Sequence, residues 1–255
     1  MTGVQTCALP ICEYILDCVA SGPRSVARQV ALAYGISRQA ANRHLDALVE
    51  ACVIEQTGHT RSREYRLRCT SLFDCEIRVT PVLDPELLWD DHIATVLVDD
   101  RAPVRDLCRG AFGELIRNVI EHARAGWINV AFSTTARHID ITVADDGRGI
   151  FSRVAERIGG ASAKDTAILW SRHANARSVD FPGSRLSLLG RNFESFSISS
   201  SGISLSFDAT SEEWSVDEDP ASKAGTRVSI RLPRSSRARA VAPDGGAAVT
   251  RVMSG

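Results

Sequence analysis

The sequence predicts an α+β protein in two parts. A small helical unit closed by a β-hairpin comes first, followed by a larger unit of helices and strands. Three observations carry this. Three short stretches of helical periodicity precede residue 52 and lead into two brief β runs. A long apolar-striped helix, 104–123, runs into two strands with alternating apolar residues. A last alternating strand, 226–232, returns after a variable segment. Helices and strands in separate runs suit an α+β protein.

Length and composition set the bounds. The 255 residues suffice for one large domain or two modest ones, and 44% apolar content supports a real core. The formal net charge of -1 gives no overall pull toward nucleic acid or acidic membranes, so any DNA-binding surface must be local. No apolar run approaches the roughly 18 residues a membrane span needs. Seven cysteines, at 7, 12, 18, 52, 69, 75 and 108, include no C-x-x-C pair. They indicate neither a disulfide framework nor a zinc site, and read as reduced thiols of a cytoplasmic protein.

Met1 to Cys12 lacks a basic region before its apolar run and makes a poor signal peptide. It resembles translated sequencing-adapter read-through, so 1–12 is read as artefact or disorder and fold reasoning starts at Glu13. Periodicity then gives a helix from Tyr14, ended by Gly22-Pro23. A second helix, Ser25 to Tyr34, stops at Gly35. Ser37 caps a third, which runs to about Ala51. Val53–Gln56 and Arg63–Leu67 flank Gly58 as a hairpin. Three helices closed by a hairpin make a winged helix-turn-helix over 13–68. Residues 69–84, bounded by Pro81 and Pro85, read as a linker; 85–233 is the larger unit, and 234–255, rich in Arg, Ala, Gly and Ser, reads as a disordered tail.

Within 85–233 three pieces carry chemistry. Glu114, Asn118 and His122 stand four apart on the long helix and so share one polar face. Asp145-Asp-Gly147-Arg-Gly149-Ile150 follows a strong strand directly. Glycines there let the backbone turn sharply and approach a ligand, and a strand-end carboxylate accepts a hydrogen bond from an exocyclic amine. Gly225-Thr226 opens the last strand. Each piece alone is common in packing roles: a solvated helix face, an ordinary strand–helix turn, a hairpin strand. Their order and spacing together resemble the Bergerat nucleotide-binding fold of the gyrase, Hsp90, histidine kinase and MutL (GHKL) proteins, which implies an α/β sandwich, a mixed sheet with helices on one face.

That resemblance implies ATP and Mg²⁺ as cofactors. It implies Asn118 as the Mg²⁺ ligand, Glu114 as the catalytic base or water-orienting residue, and His122 near phosphate. Asp145 would read the adenine amine, Gly147, Gly149 and Ile150 would line base and ribose, and Thr226 would support adenine. The family's second glycine box, G-x-G, is matched by Gly183-Ser-Arg185, so its second glycine is an arginine. Non-glycine residues resist positive φ, which alters the backbone phosphate cradle and puts turnover in doubt more than adenine binding. Arg185 would meet phosphate directly or sit on the surface of a degenerate lid.

None of the six histidines is followed by Asp or Glu, and no dimerisation hairpin precedes the domain, which argues against a self-contained histidine kinase. The layout is similar to bacterial regulators that join a helix-turn-helix to a GHKL domain, often with a STAS-like domain behind. It implies an ATP-regulated, DNA-binding transcriptional regulator with weak ATPase activity, acting as a homodimer. Two alternatives stand: an anti-sigma-type serine kinase acting on a STAS-like partner, and a nucleotide sensor that does not hydrolyse. In the helix-turn-helix, Ser37, Arg38, Gln39, Asn42 and Arg43 face the groove, and Arg61 and Arg63 on the wing meet phosphates. The other use of such a unit is docking onto protein.

Overall fold

The computed structural model describes residues 9–22, 24–59, 62–69, 71–98, 100–175, 186 and 192–234. Two separate apolar clusters organise them.

The smaller cluster is built by α1 (Leu9–Ser21), α2 (Val26–Tyr34), α3 (Arg38–Glu50) and an antiparallel hairpin of β1 (Ile54–Thr57) and β2 (Glu64–Leu67). Each helix contributes one apolar stripe: Ile15, Cys18 and Val19; Val26 and Val30; Ala41 and Leu45. Ile54 and Tyr65 close the cluster from the hairpin. Ser37 starts α3 as expected, its hydroxyl accepting from Ala40 N at 3.1 Å. Gly35, at φ 63°, turns the chain between α2 and α3.

Residues 9–12 are helical rather than disordered. They form the first turn of α1, Ile11 packs on the cluster, and Tyr34 Oη donates to the Pro10 carbonyl at 2.8 Å. A proline fits there because first-turn amides need no intrahelical partner.

The larger cluster lies between helices and a seven-stranded sheet of order β3-β4-β5-β9-β6-β7-β8. Its strands are β3 (Ser71–Arg78), β4 (Trp127–Thr134), β5 (His138–Asp145), β6 (Ser195–Ser200), β7 (Ile203–Asp208), β8 (Glu213–Glu218) and β9 (Thr226–Pro233). Every neighbouring pair is antiparallel, which corrects the expected mixed sheet. One face carries Val130, Phe132, Ile141, Ile198 and Ile230 into the cluster. The other carries a transverse row of small hydroxyls, in register from Thr142 through Ser229, Ser197 and Ser206 to Ser215.

β3 occupies half of the expected linker, 69–84. Phe73, Cys75 and Ile77 alternate with exposed Asp74, Glu76 and Arg78, which is the period of a strand with one covered face. β8 was also not expected. Trp214 there stacks obliquely on Phe207, ring centres 5.1 Å apart.

The covering helices are α4 (Pro85–Leu88), α5 (Ala102–Asn118), α6 (Ile150–Arg157) and α7 (Ala163–Asn175). π-helical turns continue α4 over Trp89–Ile93 and α5 over Val119–Ala123. α5 buries Val104, Cys108, Ala111, Phe112, Leu115 and Ile116. Phe151 of α6 meets Trp170 of α7 edge to face at 5.8 Å. Arg234, the first residue of the expected tail, grips Asp100 with two hydrogen bonds, at 2.8 and 3.0 Å. The rest of that tail, 235–255, lies outside the described residues. No helix among the described residues is long and apolar enough to cross a membrane.

Candidate functional site

Strand register brings three of the sequence's separate pieces to one end of the large sheet. Asp145 ends β5 opposite Thr226, which begins β9, and Thr226 in turn faces Ser200 at the end of β6. All three fall on the apolar face, because Asp145 keeps the parity of Ile139, Ile141 and Val143. Ser200 and Thr226 are buried polar residues. Buried hydroxyls need partners, and these two have them. Both lie 3.0 Å from Ile150 N at the start of α6, and Ser200 Oγ also donates to the Gly225 carbonyl at 2.8 Å. The first turn of α6 is thereby pinned to the sheet end.

Two close backbone approaches explain the glycines. A Cβ on Gly147 would stand 2.4 Å from the Ala123 carbonyl oxygen, where the chain crosses the end of the π-turn after α5. Gly225 has φ +70°, and a Cβ there would stand 1.8 Å from the Asp145 carbonyl oxygen. Hydrogen bonds from Arg148 N to Ala123 O at 3.0 Å and from Gly225 N to Gly147 O at 3.1 Å lock both crossings.

The result is a cleft at this end of the sheet. Leu115, Val119, Val143, Ile150, Leu186 and Val228 form its apolar walls, and Asn118, His122, Asp145, Gly149, Arg153 and Thr226 its polar positions. An apolar slot with a few convergent polar groups suits a flat heterocycle. Burial pushes the Asp145 carboxyl above its ordinary value, and the Asp146 charge adds to the rise; hydrogen bonds from Gly147 and Thr226 oppose it. Gly147 N donates to Asp145 Oδ1 at 2.8 Å, which fixes the carboxylate plane. Asp146 is committed elsewhere, its Oδ1 accepting from Gly126 N and Trp127 N at 2.8 and 3.0 Å.

On α5, Asn118 Nδ2 donates to the Glu114 carbonyl at 2.7 Å and to Glu114 Oε1 at 3.2 Å. With its amide nitrogen so engaged, Asn118 keeps its oxygen for another partner. Glu114 does not reach the cleft wall; it stands behind Asn118, 3.7 Å from Arg117. His122 lines the cleft, with Nε2 3.7 Å from the Glu121 carboxylate.

Of the expected site residues, the cleft therefore gathers Asn118, His122, Asp145, Gly149, Ile150 and Thr226, with Glu114 and Gly147 directly behind. Gly183 and Arg185 lie outside the described residues. Sequence reasoning missed Ser200 and Arg153. Ser200 was detectable as the third member of the alternation Phe196, Ile198, Ser200. Arg153 was detectable as the residue three beyond Ile150 on one helix face.

Ser200→Ala leaves the Gly225 carbonyl without its hydroxyl donor, while Ile150 N keeps Thr226. We expect a loss of about 1–2 kcal/mol in urea unfolding. Ser200→Ala with Thr226→Val strands Ile150 N as well, so the double variant loses more than the two singles summed. Strict additivity would mean that the two hydroxyls do not share that donor.

A sheet covered by helices on one face, with a carboxylate, a hydroxyl and glycines gathered at its end beside an Asn-bearing helix, is an ATP-binding sandwich module. The chain belongs to the histidine kinase-, DNA gyrase B-, and HSP90-like ATPase family, which matches residues 104–236, just over half its length. No curated protein matches the chain. The three helices and hairpin of the smaller cluster precede the matched span.

Proposed function

We propose that the chain is an ATP-regulated, DNA-binding transcriptional regulator. The observation that carries the nucleotide half is the Asp145–Thr226–Ser200 junction at the floor of an apolar cleft. Asp145 accepts from the adenine amine, Thr226 supports the base, and Gly147, Gly149 and Ile150 shape the space for base and ribose. The residues fit a metal-bound nucleotide, because the Asn118 amide is turned so that its oxygen is free to hold Mg²⁺. When bound, the metal neutralises phosphate charge. Glu114 beside Asn118 suits a water-orienting or proton-accepting role.

The smaller unit supplies the DNA half, as a winged helix-turn-helix. Ser37, Arg38, Gln39 and Arg43 are available along the start of α3, and Asn42 stands beside them. Arg38, Asn42 and Arg63 line one groove with Ser25 and Arg28. Its arginines suit phosphates, while Gln39 and Asn42 have the donor–acceptor pairs that read bases. Arg61, the other wing residue, lies outside the described residues. In this reading Mg-ATP changes the geometry of a homodimer and so the spacing of its two recognition helices.

The test uses duplexes selected from a random pool by the full chain, with binding followed by anisotropy. Saturating Mg-ATP should shift Kd at least about fivefold, the lower end of ordinary allosteric coupling. Arg38→Ala with Gln39→Ala should abolish selection. Unchanged affinity with and without ATP would end the coupling idea.

The contact between Glu114 and Asn118 favours one second reading, a serine kinase of the anti-sigma type acting on a STAS-like partner. Transfer of label from γ-labelled ATP to such a protein would support it. A module that binds ATP yet neither transfers nor releases phosphate would be a sensor.

A further inference from the structure

The ATP cleft carries a cation that neither packing nor the family's glycine boxes call for. Arg153 stands on α6 one turn past Ile150, and both line the cleft. The side chain is half-buried. Among the described residues no acceptor lies within hydrogen-bonding reach of its guanidinium. Its neighbours on the same stretch differ. Arg148 is ion-paired with Glu156, and Arg157 is exposed to solvent. Burial, and then the nearby Arg157 charge, both disfavour the charged form of Arg153. A guanidinium half-withdrawn from water without a carboxylate partner costs free energy. The cost is offset when an anion enters.

The cleft's polarity gives that anion a direction. The carboxylate sits at the sheet end, where Asp145 abuts Thr226. Arg153 sits about 4.5 Å along the helix axis from Ile150, whose amide is tied to that same junction. A ligand with a donor amine at one end and negative charge at the other satisfies both. We propose that Arg153 contacts the phosphate chain of the bound nucleotide and makes the cleft selective for nucleoside di- and triphosphates over the nucleoside. The inference rests on the adenine-binding reading above.

Calorimetric titrations of the full chain with ATP, ADP and adenosine test it, in wild type, Arg153→Gln, Arg153→Lys and Arg157→Gln. Arg153→Gln should weaken ATP and ADP by about tenfold or more, the size of a lost charge-assisted hydrogen bond, and leave adenosine within about twofold. Arg153→Lys should recover part of the loss. Arg157→Gln removes the same charge from an exposed position and should change little. Equal weakening of ATP and adenosine by Arg153→Gln would mean the side chain only shapes the wall. Equal effects of Arg153→Gln and Arg157→Gln would mean diffuse charge rather than contact. Either result overturns the proposal while leaving the adenine site intact. A wild type that binds none of the three ligands would overturn the adenine site and this proposal with it.

Discussion

Asp145→Asn should weaken ATP binding about a hundredfold while leaving the fold in place. Gly147 N already donates to Asp145 Oδ1 at 2.8 Å. In the aspartate the second oxygen remains an acceptor for the adenine amine. In the asparagine the single oxygen is claimed by Gly147, so an NH₂ group faces the ligand's own NH₂. Losing a charged acceptor and opposing two donors costs about 3 kcal/mol, or about a hundredfold in Kd. Calorimetry checks it directly. Binding within a few-fold of wild type would remove Asp145 from the adenine site.

The same residue makes a pH prediction of opposite sign for the empty protein. The folded-state carboxyl lies above its ordinary value of 3.8, so above that value the folded chain holds protons that the unfolded chain has released. Stability of the empty protein therefore falls as pH rises through that window and is restored in acid. Asp145→Asn removes the buried charge, so without ligand it should melt no lower than wild type at neutral pH, with any gap closing toward about pH 4. ATP affinity runs the other way. The amine favours the ionised carboxylate, so wild-type affinity weakens as pH drops through the raised value. A binding site held at some cost to its own scaffold is the expected pattern.

How much of this was legible beforehand follows from the range of the interactions involved. Glu114, Asn118 and His122 announce themselves by local helical spacing, and the strand before Asp145 by local alternation. β3 and β8 are sheet edges, paired on one side only, and their alternation stands beside prolines or among acidic residues that read as a linker or a turn. Ser200 is an ordinary serine until β6 is paired with β9, when register sets it against Thr226. Arg153 belongs to a helix whose apolar face, Ile150, Phe151, Val154 and Ala155, dominates the pattern. The absence of an acceptor around it among the described residues is a fact about three-dimensional neighbours and leaves no trace in spacing. The antiparallel rather than mixed sheet likewise depends on strand direction, which periodicity does not encode.

Gly225→Ala should be the most damaging glycine substitution among the described residues. Two costs combine. At φ +70° an alanine loses about 1 kcal/mol to its left-handed backbone. Its Cβ would also stand 1.8 Å from the Asp145 carbonyl oxygen, and that atom is backbone, fixed by the β5–β9 ladder. Relief requires the two strands to part at the Asp145–Thr226 pair, where the cleft has its floor. A total of about 4 kcal/mol is expected, or about 10 °C in Tm for a domain of this size. Gly202→Ala is the control in the same sheet. Gly202 has φ +81° but nothing within 4 Å of a Cβ, so only the backbone cost applies, about 1 kcal/mol. Thermal melts of the two variants separate the steric from the conformational contribution. ATP titration of Gly225→Ala below its melting point then asks about function, and binding should be lost there even while the protein is folded. Equal melts for the two variants would mean that β5 and β9 do not meet as closely as 1.8 Å implies, and intact ATP binding by Gly225→Ala would separate the strand junction from the nucleotide site.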